Sequence, residues 1–215
     1  MSAPQDLIGL ILALSLFSLV PFIAVMATSF VKISIILSLV RNALGVQQIP
    51  PNIAIHGLAI ILSAYIMAPI GYRMVEALET HPLELKDPGT MKKNLGAVLE
   101  PYREFLATHT GESQREFFAE HSQRSWPEDL RKSAGEDSLF VLLPAFTVSE
   151  LTKAFEVGFL LYLPFVVIDL IISNILLALG MMMVSPMTIS LPFKLLLFVM
   201  LDGWTRLIEG LVMSY

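Results

Sequence analysis

The sequence predicts an all-α protein of membrane class, built of long kinked apolar helices with a small polar helical insertion. Three observations lead there. Of 215 residues, 55% are hydrophobic and 15% charged, and the mean hydropathy is +0.70, far from soluble-domain usage. Of the 33 charged residues, 22 fall between Arg73 and Asp137, which leaves eleven for the other 150 positions. Three runs carry no charge at all: Leu7 to Val31 (25 residues), Asn42 to Tyr72 (31) and Leu170 to Phe193 (24). Each exceeds the roughly 20 residues with which an α-helix crosses the hydrocarbon core. A net charge of −5 disfavours nucleic-acid binding, which needs a basic face, and the absence of cysteine removes disulfides, thiolate nucleophiles and Cys-ligated metals.

Four hydrophobic spans are expected in order. The first run, continued through Lys32 to Val40, is apolar on all faces and carries Pro21 as a kink. Met1 to Asp6 has no basic region and the run is longer than a signal-peptide core, so it reads as part of the mature protein. Arg41 to Asn52 is a connector whose Pro50 and Pro51 stop one helix and open the next. Ile53 to Tyr72 is the second span, bending or ending near Arg73 at Pro69 and Gly71. Residues 73–138 then form the polar insertion. Within it Met91, Leu95, Val98, Tyr102 and Phe105 share one helical face, Pro101 argues for two pieces or a kink, and Ser113 with Glu116 reads as a capping box. The third span runs from about Val148 to Ala178, opened by a capping box of Thr147 and Glu150 and bent at Pro164. After a connector around Gly180 to Pro186, the last helix runs from Leu191 to near Tyr215. The chain thus divides into residues 1–72, 73–138 and 139–215, the last with a Met-rich loop at 180–190. The few basic residues of the short loops, Arg41 and Lys194, put those loops in the cytoplasm and the insertion outside.

Ionisable residues within apolar helices are candidates for function. Here they are Lys32, Glu150, Lys153, Glu156, Asp169, Lys194, Asp202, Arg206 and Glu209. Glu150 with Lys153, and Asp202 with Arg206, stand three and four apart and could pair along one helix. Lys32, Asp169 and Lys194 have no such neighbour and need a partner from another helix, another subunit or water; an intersubunit pair of Glu150 with Lys194 is one arrangement. Met181, Met182 and Met183 lie between Gly180 and the turn at Ser185-Pro186. They read either as filler at a helix end or, repeated around an axis, as a deformable apolar constriction. Catalysis finds no support: the four histidines are at least 12 residues apart, and no zinc pair, phosphate loop or nucleophile elbow is present. No cofactor is expected.

Phe22 to Asn52 (FIAVMATSFVKISIILSLVRNALGVQQIPPN), Pro144 to Phe159 (PAFTVSELTKAFEVGF) and Phe165 to Trp204, with its IDL, LGMMMVSP, LPFK and LDGW pieces, closely resemble the FliP/SctR family. Its members are membrane components of the type III export apparatus of flagella and injectisomes. The resemblance covers nearly the whole chain, and the absence of a signal-sequence pattern is similar to the injectisome branch. It implies a non-enzymatic core subunit of a protein-conducting export gate in the bacterial inner membrane, with unfolded polypeptides as substrates. It implies a conical helical ring of five copies, completed by FliQ/SctS-like and FliR/SctT-like subunits and served by FlhB/SctU-like and FlhA/SctV-like export proteins. It makes Met181, Met182 and Met183 an internal gasket of the pore, Gly180 and Pro186 the residues shaping its loop, and residues 73–138 the periplasmic part of the ring. Lys32, Glu150, Lys153, Asp169, Lys194, Asp202 and Arg206 become intersubunit or intramembrane polar contacts. Two other classes fit the residues alone. A small proton-coupled secondary transporter would use Asp169 or Glu150 as its carboxylate, and a membrane scaffold would have no pore.

Overall fold

A computed structural model describes residues 25–46, 49–82, 88–131 and 135–215, together with Ile11, Leu14, Ser15 and Ser18. The described chain is all-helical, with no strand among the described residues. Its elements are α1 (Phe30–Ala43), α2 (Asn52–Thr80), α3 (Pro88–His109), α4 (Glu112–Ser125), α5 (Glu128–Arg131), α6 (Leu139–Ala178), α7 (Pro186–Met200) and α8 (Gly203–Met213). The short α1 is the centre. It packs most extensively on α6 and also on α2, while α3 and α4 lie against α6, and α6, α7 and α8 follow one another as packed neighbours.

The core forms where helices apolar on every face meet. Ile33, Ile36, Leu37 and Val40 of α1 pack with Ile55 and Ala59 of α2, Ala154 and Phe165 of α6, and Leu207 and Leu211 of α8. Gly158 lets α6 approach α1 closely, because a methyl group at that position would run into Leu39. A second cluster joins Phe105 and Leu106 of α3 to Leu142 and Phe146 of α6. This cluster ties the polar segment to the apolar helices.

Among the described residues two helices, α2 and α6, are long and apolar enough to cross a membrane, where the sequence suggested four spans. Most of the first expected span, with its kink at Pro21, lies outside the described residues. Its described end is interrupted at Ala27 to Ser29 before α1 begins. The interruption is held by hydroxyls: Ser29 Oγ donates to Ser63 Oγ (3.0 Å), Ser63 Oγ to Thr28 Oγ1 (3.2 Å) and Tyr102 Oη to the Ala27 carbonyl (2.7 Å). The Met26 carbonyl lies 3.3 Å from Thr147 Oγ1, sharing that hydroxyl with the closer Leu143 carbonyl. Backbone freed from a helix in apolar surroundings needs such partners. The last expected helix is broken into α7 and α8, because Asp202 is left-handed (φ 53, ψ 46) and Gly203 follows it. Left-handed backbone ends a helix, and aspartate is among the few residues that adopt it readily.

Other expectations are corrected in detail. α2 does not end near Arg73 but continues to Thr80, through Pro69. α3 is one helix through Pro101. Gly111, not Ser113, caps α4, and its N–H is taken by Ser149 Oγ at 2.9 Å. Thr147 and Glu150 are interior to α6, which starts at Leu139 and continues through Pro144 and Pro164. Thr147 Oγ1 bonds the Leu143 carbonyl at 2.8 Å instead of capping.

Candidate functional site

Five of the ionisable residues singled out by the sequence gather into two charge centres, and the methionines lie on one exposed loop, while Glu156, Asp202, Arg206 and Glu209 are exposed outside them. The first centre is built around Glu150, which is 0% exposed in the middle of the packed helices. One carboxylate oxygen, Oε2, accepts from the Tyr215 hydroxyl and lies 3.7 Å from Lys32 Nζ of α1. The other, Oε1, lies 3.6 Å from Lys153 Nζ, one turn along α6, and has no hydrogen-bond donor. Lys153 Nζ donates to the carbonyl of His109 at 2.7 Å, at the end of α3, where helix carbonyls favour a cation. The Lys32 ammonium stands 3.9 Å from the centre of the Tyr215 ring, a cation–π arrangement. That ring in turn stacks on Phe105 of α3. Lys32 of α1, Lys153 of α6 and the C-terminal Tyr215 therefore converge on one carboxylate, and the cost of burying it is offset by two ammonium groups and a phenol.

The second centre joins α1, α6 and α7. Asp169 Oδ2 pairs with Lys194 Nζ at 2.5 Å, and Asp169 Oδ1 accepts from Ser190 Oγ at 2.5 Å. Lys194 Nζ also donates to the carbonyl of Ala43 at 3.1 Å, the last residue of α1. Lys32, Asp169 and Lys194, which had no opposite charge on their own helix, all find partners from other helices of the same chain. Glu150 and Lys194, considered above as an intersubunit pair, each have charged partners within the chain. Asp202 and Arg206 do not form the one-turn pair that their spacing allows. Asp202 Oδ1 instead accepts from Thr205 Oγ1 at 3.0 Å, and Arg206 is exposed.

The loop between α6 and α7 carries the methionines on an ordered backbone. Gly180 is left-handed (φ 73). Its N–H bonds the Leu177 carbonyl (3.0 Å), and the N–H of Met181 bonds that of Leu176 (2.9 Å), the paired bonds of a Schellman helix end. Pro186 opens α7 in its first turn, where the missing N–H costs nothing. Between these stops the side chains of Met181, Met182 and Met183 are 44%, 81% and 100% exposed. They are not filler within this chain.

Sequence reasoning missed Tyr215 and Ser190. Tyr215 carried a weak signal, an amphipathic residue following the strongly two-faced helix α8; a lone serine in an apolar helix carries almost none. In the polar segment, Tyr102 is half-buried, and burial pushes its phenol up to about 12. The phenol stays protonated and keeps its bond to Ala27.

The FliP family profile matches residues 13–211. The chain is 60% identical to Yop proteins translocation protein R of Yersinia pestis over 210 residues, 98% of this chain and 97% of that one. It is 50% identical to virulence protein YscR of Salmonella typhimurium over 216 residues, with 100% of both chains covered. Harpin secretion protein HrpW of Pseudomonas syringae pv. syringae is 46% identical over 206 residues, 96% of this chain and 99% of that one. With matches that span almost its entire length, the chain belongs to the FliP family, in the injectisome branch of these type III secretion components, and is a structural part of an export apparatus, not an enzyme.

Proposed function

We propose that this chain is a core subunit of the export gate, forming with copies of itself a conduit for unfolded secreted polypeptides that its methionine loop narrows. The observation that carries the reading is the exposure of Met181, Met182 and Met183 at the tip of a charge-free hairpin whose backbone is pinned at both ends. Methionine side chains are long, unbranched and polarizable, so they fill an irregular gap and rearrange around whatever passes. Packed around an axis they make an apolar constriction that excludes water and ions. The large apolar side chains left exposed along α6 and α2, such as Phe155, Phe159, Ile61 and Tyr65, support an assembled state in which neighbours cover them. On this reading five copies form a conical ring with FliQ/SctS-like and FliR/SctT-like subunits, and FlhB/SctU-like and FlhA/SctV-like proteins act alongside. The ring is set in the bacterial inner membrane, with residues 73–138 on the periplasmic side. Glu150, Lys153, Lys194, Asp202 and their neighbours fix the geometry in which subunits meet.

The test is ion leakage across the inner membrane of cells carrying the assembled complex. Changing Met181, Met182 and Met183 together to Ala raises leakage severalfold while the complex still assembles. Unchanged leakage in an intact complex overturns the gasket role.

A further inference from the structure

The hairpin that carries the methionines has almost no support from its own chain beyond one level. Among the described residues from Leu170 to Ile189, only Leu176 is buried. The last polar anchor on the α6 side is Asp169, and the first on the α7 side is Ser190, both part of the second charge centre. From Asp169 to the end of α6 the helix advances about 14 Å, with exposed apolar residues such as Leu170, Ile171, Ile175 and Leu177 along it. At the tip the backbone is ordered: Gly180 and Met181 close α6, the Val184 N–H bonds the Met181 carbonyl (3.3 Å), and the Thr188 N–H bonds that of Ser185 (3.2 Å). The hairpin is thus a stiff arm held at its base.

Beside the apolar packing of Phe165, Leu195 and Phe198 against the core, the base is fastened by one charged side chain. Asp169 uses both oxygens on α7, one for Ser190 and one for Lys194, which locks the two strokes of the arm to each other. Lys194 Nζ then reaches the Ala43 carbonyl at the C-terminal end of α1, where the helix dipole favours a cation. Gly45, left-handed at φ 74, turns the chain away beside it, and a Cβ there would lie 3.9 Å from Lys194 Nζ. The ammonium is buried, so its two partners are not replaced by water at low cost.

We propose that Asp169, Ser190 and Lys194 are positioning residues of the methionine loop, with Lys194 as the pivot that fixes the whole α6–α7 arm to the end of α1. The location of the methionines is then set by the end of α1 and by rotation of the arm as a unit, while the loop backbone keeps its shape. This rests on the gasket reading for its functional meaning but not for its geometry, and the experiment separates the two.

The chain has no cysteine, so spin-label pairs go into an otherwise unlabelled background, and unlabelled chain serves as diluent if copies associate. One pair, Asn42→Cys with Met183→Cys, measures arm against α1; the other, Ile175→Cys with Met187→Cys, measures the arm internally. All four positions are exposed. In the full-length chain, Lys194→Met turns the narrow 42–183 distance into a broad, shifted distribution and leaves 175–187 unchanged. Asp169→Asn, which keeps the shape but removes the counter-charge, does the same to a smaller degree. If both distances keep their wild-type widths, Lys194 does not position the arm; if both broaden, the hairpin itself gives way. Either result overturns the proposal. In the assembled complex the same Lys194→Met change raises ion leakage. If the triple Met→Ala variant fails to leak while the 42–183 distance still broadens in Lys194→Met, the gasket reading falls and the pivot stands.

Discussion

Helix α1 and the distal half of the α6–α7 hairpin look alike in sequence and opposite in structure. Both are rich in large apolar residues on every face, with Lys32 and Arg41 the only charges in α1 and none in the hairpin. Yet no residue from Phe30 to Arg41 is exposed, whereas between Leu170 and Ile189 almost every large apolar side chain is. Hydropathy measures how strongly a segment avoids water and is silent about what relieves it. For α1 the relief comes from its own chain, through α2, α6 and α8. For the hairpin the described residues of its own chain supply almost none. The charged residues mark the difference, since Lys32 is buried within the packed helices while Asp169 and Lys194 sit where the arm leaves them.

The comparison is broken most severely at Glu150. Removing it by Glu150→Ala leaves the Lys32 ammonium buried without its carboxylate, which costs about 3–5 kcal/mol. The check is a denaturant or thermal titration of the purified chain in detergent, with a loss below about 1 kcal/mol counting against a buried pair. The contrast sharpens with matched truncations. Leu37→Ala in α1 lowers stability by about 2–5 kcal/mol, while Ile171→Ala on the arm stays within about 0.5 kcal/mol in the isolated chain. Only in the assembled complex does the second change weaken the structure, read as dissociation in native gels. Similar losses at both positions in the isolated chain would erase the distinction. The smallest loss expected from a packed part of the isolated chain is at the border of α1, where Tyr102→Phe removes the bond to Ala27 and costs about 1 kcal/mol. Since the folded phenol titrates at about 12, above its usual value near 10, its contribution is complete below that usual value. It fades as pH rises through about 12 in an alkaline melting series.

Much of this was legible beforehand, for reasons that lie in particular residues. The clustering of charge between Arg73 and Asp137 covers the last two turns of α2 and all of α3, α4 and α5. The lack of an opposite charge near Lys32, Asp169 and Lys194 on their own helices required partners from elsewhere, and other helices of the chain supply them. Which partner each takes was not legible, because Glu150 is 118 positions from Lys32 and nothing local selects it. The breaks at Ala27 to Ser29 and at Asp202 were missed for the same reason. The Tyr102 hydroxyl that satisfies the freed Ala27 carbonyl and the Ser63 hydroxyl that bonds Thr28 act across the fold, and left-handed aspartate leaves no periodic mark. Pro101 was read as dividing or kinking its helix, since proline forgoes one rung, and the capping-box pattern of Thr147 and Glu150 as a helix start; packing of α6 against α1, α3 and α4 carries that helix back through Pro144 to Leu139.

The interruption before α1 also bears on how the chain is made. The Met26 carbonyl waits for Thr147, 121 residues later, and the Ala27 carbonyl for Tyr102, 75 residues later. At a synthesis rate of ~5–20 residues per second, the first of these delays is on the order of ten seconds. During that interval the start of α1 and the Lys32 ammonium have no permanent home in hydrocarbon. The start of α1 in a nascent chain therefore settles only after the segment that contains Thr147 and Glu150 has emerged, and the charge centre around Lys32 closes only with Tyr215 at position 215.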